Sequence, residues 1–128
     1  SWGPLEPFDD SMPAILNSHG VHSHKVTDHQ HYWEDGGATY HQRYSTFEFV
    51  RGQEGDKWVG DVEKLRGTKV SEDRWPEHRY SKMYKQDLIN RESMRSSDQQ
   101  PHHKTFSLGL KFIERNIEAN NFSNHNLP

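Results

Sequence analysis

The chain has 128 residues, a net charge of -3 with its histidines neutral, and no cysteine. That length holds one domain at most, and the missing thiols exclude disulfides, thiolate metal sites and cysteine nucleophiles. No basic stripe supports nucleic-acid binding, and no apolar run approaches the ~20 residues of a membrane span. Apolar residues make up 30% of the chain, low for a self-sufficient core beside an ordinary ~45–50% with glycine counted. Four tryptophans, five tyrosines and six phenylalanines nevertheless argue against disorder, because large rings in a polar chain pack on something.

Residues 1–10 read as loop, since Pro4 and Pro7 push their predecessors extended. Ser1 opens directly into Trp2-Gly3-Pro4, without an initiator Met or signal peptide, so an internal segment of a longer protein is expected. Asp10 or Ser11 caps a short helix with Pro13 in its first turn, and Gly20 ends it as a left-handed C-terminal cap. Val21 to Thr27 is a strand; helix, glycine and strand in that order are the αβ step of an α/β protein.

A polar, aromatic loop follows from Asp28 to Arg43, turning at Gly36-Gly37. Tyr44 to Val50 alternates as a second short strand, and residues 51–56 form a glycine turn. Residues 57–78 show no usable period. Tyr80 to about Arg95 is a helix with scattered apolar points at Met83, Leu88 and Met94. The strongest helix is Lys104 to about Ala119. There Phe106, Leu110, Ile113 and Ile117 build one apolar stripe, widened by Leu108 and Phe112, which reads as core. The tail from Asn120 is polar and patternless, and Asn121-Phe122-Ser123 matches a glycosylation sequon of a kind common by chance.

Six of the ten histidines fall between His19 and His41, so the charge of that stretch is pH-sensitive. Asp28-His29-Gln30-His31-Tyr32-Trp33-Glu34-Asp35 places imidazoles and carboxylates just after a strand, where open α/β sheets build sites. Such imidazoles donate to oxyanions or carry protons; a solvated polar loop is the plain alternative. The pairs His22/His24 and His29/His31 each share a face if extended, and with Asp28 they offer ligands for zinc or nickel, though no closed ligand motif is present. Arg51 either clamps an anion or pairs within its own turn with Glu54 or Asp56. Asp9-Asp10 serves as a cap or, less simply, as a cation seat.

Three segments together resemble a branch of bacterial-type sulfatases. They are Trp2-Gly3-Pro4-Leu5-Glu6-Pro7-Phe8-Asp9, the run from Val26 through Asp28-His29-Gln30-His31-Tyr32-Trp33-Glu34-Asp35-Gly36-Gly37 to His41, and Phe49-Val50-Arg51-Gly52-Gln53-Glu54-Gly55-Asp56. Residues 104–120 are similar to the helix that precedes the next sheet strand of that branch. The resemblance spans residues 1–122 as a fragment of a sulfatase catalytic domain and leaves 123–128 as a divergent tail.

It implies a partial alkaline-phosphatase-like α/β fold, an incomplete sheet with flanking helices. It also implies hydrolysis of a sulfate monoester on a sugar or aromatic alcohol. The family's nucleophile is a formylglycine made within Cys/Ser-x-Pro-x-Arg, and its calcium polarises the sulfate oxygens. By resemblance, His29 and His31 fill the catalytic histidine role, while Asp28, Glu34 and Arg51 meet the substrate. The sequence departs from the pattern in three places. It has no Cys/Ser-x-Pro-x-Arg, Asp28 stands where many sulfatases carry a lysine, and no Asp-Pro-His segment follows Asn121.

Two expectations result. The first is a sulfatase piece that binds neither calcium nor formylglycine itself and is inactive alone. Its partners are the remainder of the sulfatase domain and, in the parent, a sulfated small molecule or glycan. Neither nucleic acid nor a membrane is a partner. The compartment stays open, with the resemblance leaning towards an extracytoplasmic one. The second is a small histidine-rich metal-binding module using His22, His24, His29, His31 and Asp28.

Overall fold

The structure, a computed structural model, describes residues 3–67 and 79–123, with side-chain detail over 3–67 and 82–117. It is mixed α/β. Among the described residues there are four helices, α1 (Met12–Ser18), α2 (Val62–Gly67), α3 (Arg79–Glu92) and α4 (Pro101–Ser123), and two strands, β1 (His24–Thr27) and β2 (Thr46–Phe49).

Helix α1 starts as its residues require. The Ser11 hydroxyl accepts from the Ala14 amide at 3.4 Å, and Pro13 is buried in the first turn. Its end is closed by the His19 and Gly20 amides bonding back to Leu16 and Asn17, with Gly20 at φ 74°, a conformation glycine adopts without a Cβ penalty. Ser11, not Asp10, is therefore the cap. Asp9 closes the preceding turn instead, its carboxylate accepting from the Glu6 amide at 2.9 Å.

The two strands pair in parallel, His24 with Thr46, Lys25 with Phe47, Val26 with Glu48 and Thr27 with Phe49. Alternation gives the sheet two distinct faces. His24, Val26, Thr46 and Glu48 share one, and α4 lies against it through Phe112, which stacks on His24 at 4.3 Å. Lys25, Thr27, Phe47 and Phe49 share the other, and the 28–43 loop covers it, with Trp33 stacked on Phe49 at 4.1 Å. Within that loop the chain forms two 3-10 turns, Gln30–Trp33 and Tyr40–Arg43.

A second packed region joins α3 to the segment 51–60. Asn90 is fully buried. Its amide donates to the Asp56 carbonyl at 2.7 Å, while its Oδ1 accepts from Gln86 Nε2 at 3.0 Å and from the Val59 amide at 3.3 Å. Gln86 adds a bond to the Val59 carbonyl at 2.9 Å. Ile89 and Met94 supply the apolar part of this core. Gly55 is pressed so closely on α3 that a Cβ there would lie 2.1 Å from Met83 Cγ.

Several boundaries differ from the sequence expectation. Helix α4 begins at Pro101, a residue suited to a first helical position, and continues to Ser123 through what reads as patternless tail; residues 124–128 lie outside the described set. Helix α3 stops at Glu92, and Ser96 with Gln99 then forms a capping box. Helix α2 occupies part of the stretch without a period; its first turn is capped by the Asp61 carboxylate, which accepts from the Lys64 amide at 2.9 Å. The remainder of that stretch, 68–78, is not among the described residues.

The apolar stripe of α4 is not core. Phe106 is 76% exposed, Leu110 60%, Ile113 52% and Ile117 56%. At 3.6 residues per turn, Leu108 and Phe112 lie roughly 150° round the axis from that stripe, so they do not widen it. They form the flank that meets the sheet, and both are half-buried. With two strands, the sheet covers one flank of α4 and leaves the other to solvent.

Candidate functional site

The site expected after β1 is built at the carboxyl end of that strand. Thr27 is buried, and its hydroxyl accepts from the His29 amide at 3.1 Å, turning the chain out of the sheet. The 3-10 turn that follows gathers rings. His29 and His31 meet edge to face at 4.7 Å, and His29 meets Tyr32 at 5.1 Å. The expected pairing of the two histidines is therefore present, produced by a tight turn and not by strand alternation.

Glu34 is bound to this pair. Its Oε2 lies 2.7 Å from His31 Nδ1. A carboxylate only accepts, so Nδ1 carries the proton and the tautomer is set. The other nitrogen, Nε2, lies 3.8 Å from Glu54 Oε2. Glu54 sits at φ 52° in the next turn. The turn after Glu34 is tight: the Gly37 amide donates to the Glu34 carbonyl at 2.7 Å, and a Cβ on Gly37 would lie 2.4 Å from the His31 carbonyl oxygen.

The amino-terminal segment straps the loop. Tyr40 donates to the Gly3 carbonyl at 3.0 Å, Arg43 donates to the Glu6 carbonyl at 2.6 Å, and the Leu5 amide donates to the Ala38 carbonyl at 3.3 Å. Residues 3–6 and 38–43, distant in sequence, thus lie side by side.

Arg51 is engaged elsewhere. Its Nε and one terminal nitrogen grip the Asp56 carboxylate at 2.7 and 2.8 Å, and that nitrogen also donates to the Lys57 carbonyl at 3.0 Å. The Asp56 hydrogen bond raises the guanidinium's pKa further above its ordinary value. Asp56 is buried and also accepts from the Gly52 amide at 2.8 Å, so the pair organises the 51–56 turn. Asp28 is half-buried beside His29 and forms no ion pair among the described residues.

His22 and His24 share a face, as an extended chain requires. Their ring nitrogens converge on a hydroxyl, Thr46 Oγ1, at 2.9 and 2.8 Å. His24 Nε2 is 3.4 Å from Glu48 without a hydrogen bond. Among the described residues no three His, Asp or Glu side chains gather as a metal ligand set. An open groove of about 370 Å³ lies on the α4 side, lined by Val50, Leu108, Asp98, His103, Lys104 and Lys111, apart from the His29–His31 pair.

Three residues near the site escape sequence reasoning. Glu54 reaches His31 from another turn. Lys25 of β1 holds its ammonium 3.9 Å over the Tyr32 ring. His41 is buried at 4% exposure, stacked on Trp33 at 4.3 Å, and its pKa is lowered by burial and then by Lys25. Only the density of histidines hinted at the last of them.

Compared with known proteins, the chain matches no family model, no curated protein and no solved structure.

Proposed function

We propose that the chain is a segment of a sulfuric ester hydrolase with an alkaline-phosphatase-like fold, supplying the 28–41 loop to a pocket wall. The sequence resemblance motivates this reading. The single observation that supports it best is the His31–Glu34 contact at 2.7 Å beside His29, just beyond the carboxyl end of a parallel strand. That is where open α/β sheets place chemistry.

In this reading His31 is the acid for the leaving alcohol. Protonated, it donates from Nε2 to the ester oxygen as the S–O bond breaks, while Glu34 stabilises the imidazolium and keeps its ring aligned. Glu34 then acts as a positioning residue and not as a substrate contact. His29, at the edge of the His31 ring, donates to a sulfate oxygen. Arg51 serves the wall through its grip on Asp56, and Asp28 lines the approach to His29.

Formylglycine supplies the nucleophile and calcium the charge neutralisation in that family. The residues here do not fit either group: there is no cysteine, no Ser-x-Pro-x-Arg run, and no carboxylate cluster among the described residues. No step is assigned to them on this chain, which alone should not turn over an aryl sulfate.

The test is genetic and kinetic. The coding sequence upstream of Ser1 should hold a Cys/Ser-x-Pro-x-Arg motif; a reading frame without one sinks the proposal. In the enzyme that contains this segment, His31→Asn should lower kcat by about 10²–10⁴-fold, the usual worth of a general acid.

A further inference from the structure

His41 stands in the middle of the stack that fastens the 28–43 loop to the sheet. One face of its ring lies on Trp33 at 4.3 Å and 29°, and Phe47 meets it edge-on at 4.8 Å. Trp33 in turn lies on Phe49 at 4.1 Å. The residue is 4% exposed, and its Nδ1 is buried without a hydrogen-bond partner.

The charged and titratable groups around it are few. From β1 comes Lys25, whose ammonium rests over Tyr32 at 3.9 Å and Tyr44 at 5.2 Å. Tyr32 approaches from the first 3-10 turn, its ring 6.2 Å away. Tyr40, Arg43 and Tyr44 lie on His41's own segment. From β2, Glu48 belongs to the opposite face, where it meets His24. No carboxylate pairs with His41 among the described residues. A proton taken up here would create a buried cation near a second cation, without an anion to offset it. Aromatic faces return only part of that cost, on the order of 0.5–2 kcal/mol.

We propose that His41 is an acid-sensitive latch: on protonation it leaves the slot between Trp33 and Phe47 and frees the loop that carries His29, His31 and Glu34. The latch needs only the ring stack and does not depend on ester hydrolysis. The sign follows from linkage. A histidine that resists protonation when folded leaves the open state binding more protons below about pH 6.5, so closure weakens as pH falls and is fully present above that value.

Amide hydrogen exchange on the full chain from pH 7.5 to 5, corrected for intrinsic rates, tests this. Amides of residues 29–43 should lose protection by up to about tenfold per pH unit below 6.5, the limit for one linked proton, while those around Asn90 hold. His41→Phe, which keeps a ring and removes the titration, should abolish the loss. Lys25→Met should make the loss smaller and complete it at a higher pH, a readout that packing alone would not move. The latch is overturned if His41→Phe shows the wild-type profile, if the Asn90 region loosens equally, or if the loop is already unprotected at pH 7.5. Should His41→Phe fail to fold, an unchanged profile in Lys25→Met decides against it.

Discussion

Phe112 of α4 lies nearly flat on the imidazole of His24 in β1, with centroids 4.3 Å apart and planes 14° from parallel. This contact is a principal link between the helix and the sheet, and it joins an aromatic face to a residue that looks like a metal ligand in sequence. Phe112→Ala should therefore lower stability by about 1–2 kcal/mol, a partial share of the ~1.5–3 kcal/mol for fully burying such a ring. Denaturant midpoints of the two chains measure it. An unchanged midpoint would mean that α4 is not held to the sheet here.

Asn90 should be the most sensitive polar position. Asn90→Leu keeps much of the volume but leaves the Val59 amide without its partner, and it takes one of two bonds from the Asp56 carbonyl, which keeps the Trp58 amide, and from Gln86, which keeps the Val59 carbonyl. A buried orphan costs about 1–3 kcal/mol, so a loss of about that size is expected by chemical unfolding. A surface change such as Lys111→Gln should stay within ~0.5 kcal/mol.

Gly55 and Gly20 should respond to alanine for different reasons. At Gly55 the new Cβ would collide with Met83 at 2.1 Å, and displacing α3 should cost about 1–3 kcal/mol. At Gly20 nothing lies within 4 Å, but φ is 74°, so the cost is conformational, on the order of 1 kcal/mol. Thermal melts separate the two by size.

The exposed stripe of α4 should drive association. Phe106, Leu110, Ile113 and Ile117 repeat at helical spacing on an open flank, and contiguous apolar surface of this kind marks interaction or aggregation. Leu110→Lys with Ile113→Lys should reduce sedimenting aggregates at micromolar concentration while leaving the α4–sheet contact intact. Equal aggregation in both chains would place the sticky surface elsewhere.

Zinc should bind weakly and without stoichiometry, because His22 and His24 converge on Thr46 while His29 and His31 form a separate pair. Calorimetric titration showing a one-to-one site at micromolar affinity, lost in His22→Ala or His29→Ala, would revive the metal-module reading.

Some of this architecture is legible without coordinates. The Ser11 cap, Pro13 in the first turn and left-handed Gly20 follow from local backbone chemistry, which acts within a few residues. The same is true of the Arg51–Asp56 turn, whose partners are five residues apart. The His31–Glu34 contact, at a spacing of three residues, is equally local.

The amino-acid order by itself determined the α/β alternation, the aromatic and histidine-rich loop after β1, the amphipathic pattern of α4 and the lack of cysteine chemistry. Only the tertiary structure decided which flank of α4 meets the sheet, that Asn90 and Ile89 anchor α3, that Glu54 reaches His31 and that His41 is buried between rings. The reason is the range of the forces involved. Capping and turn formation are settled by neighbours along the chain, whereas burial depends on what another element happens to cover, and a stripe that reads as core stays in solvent when nothing is laid against it.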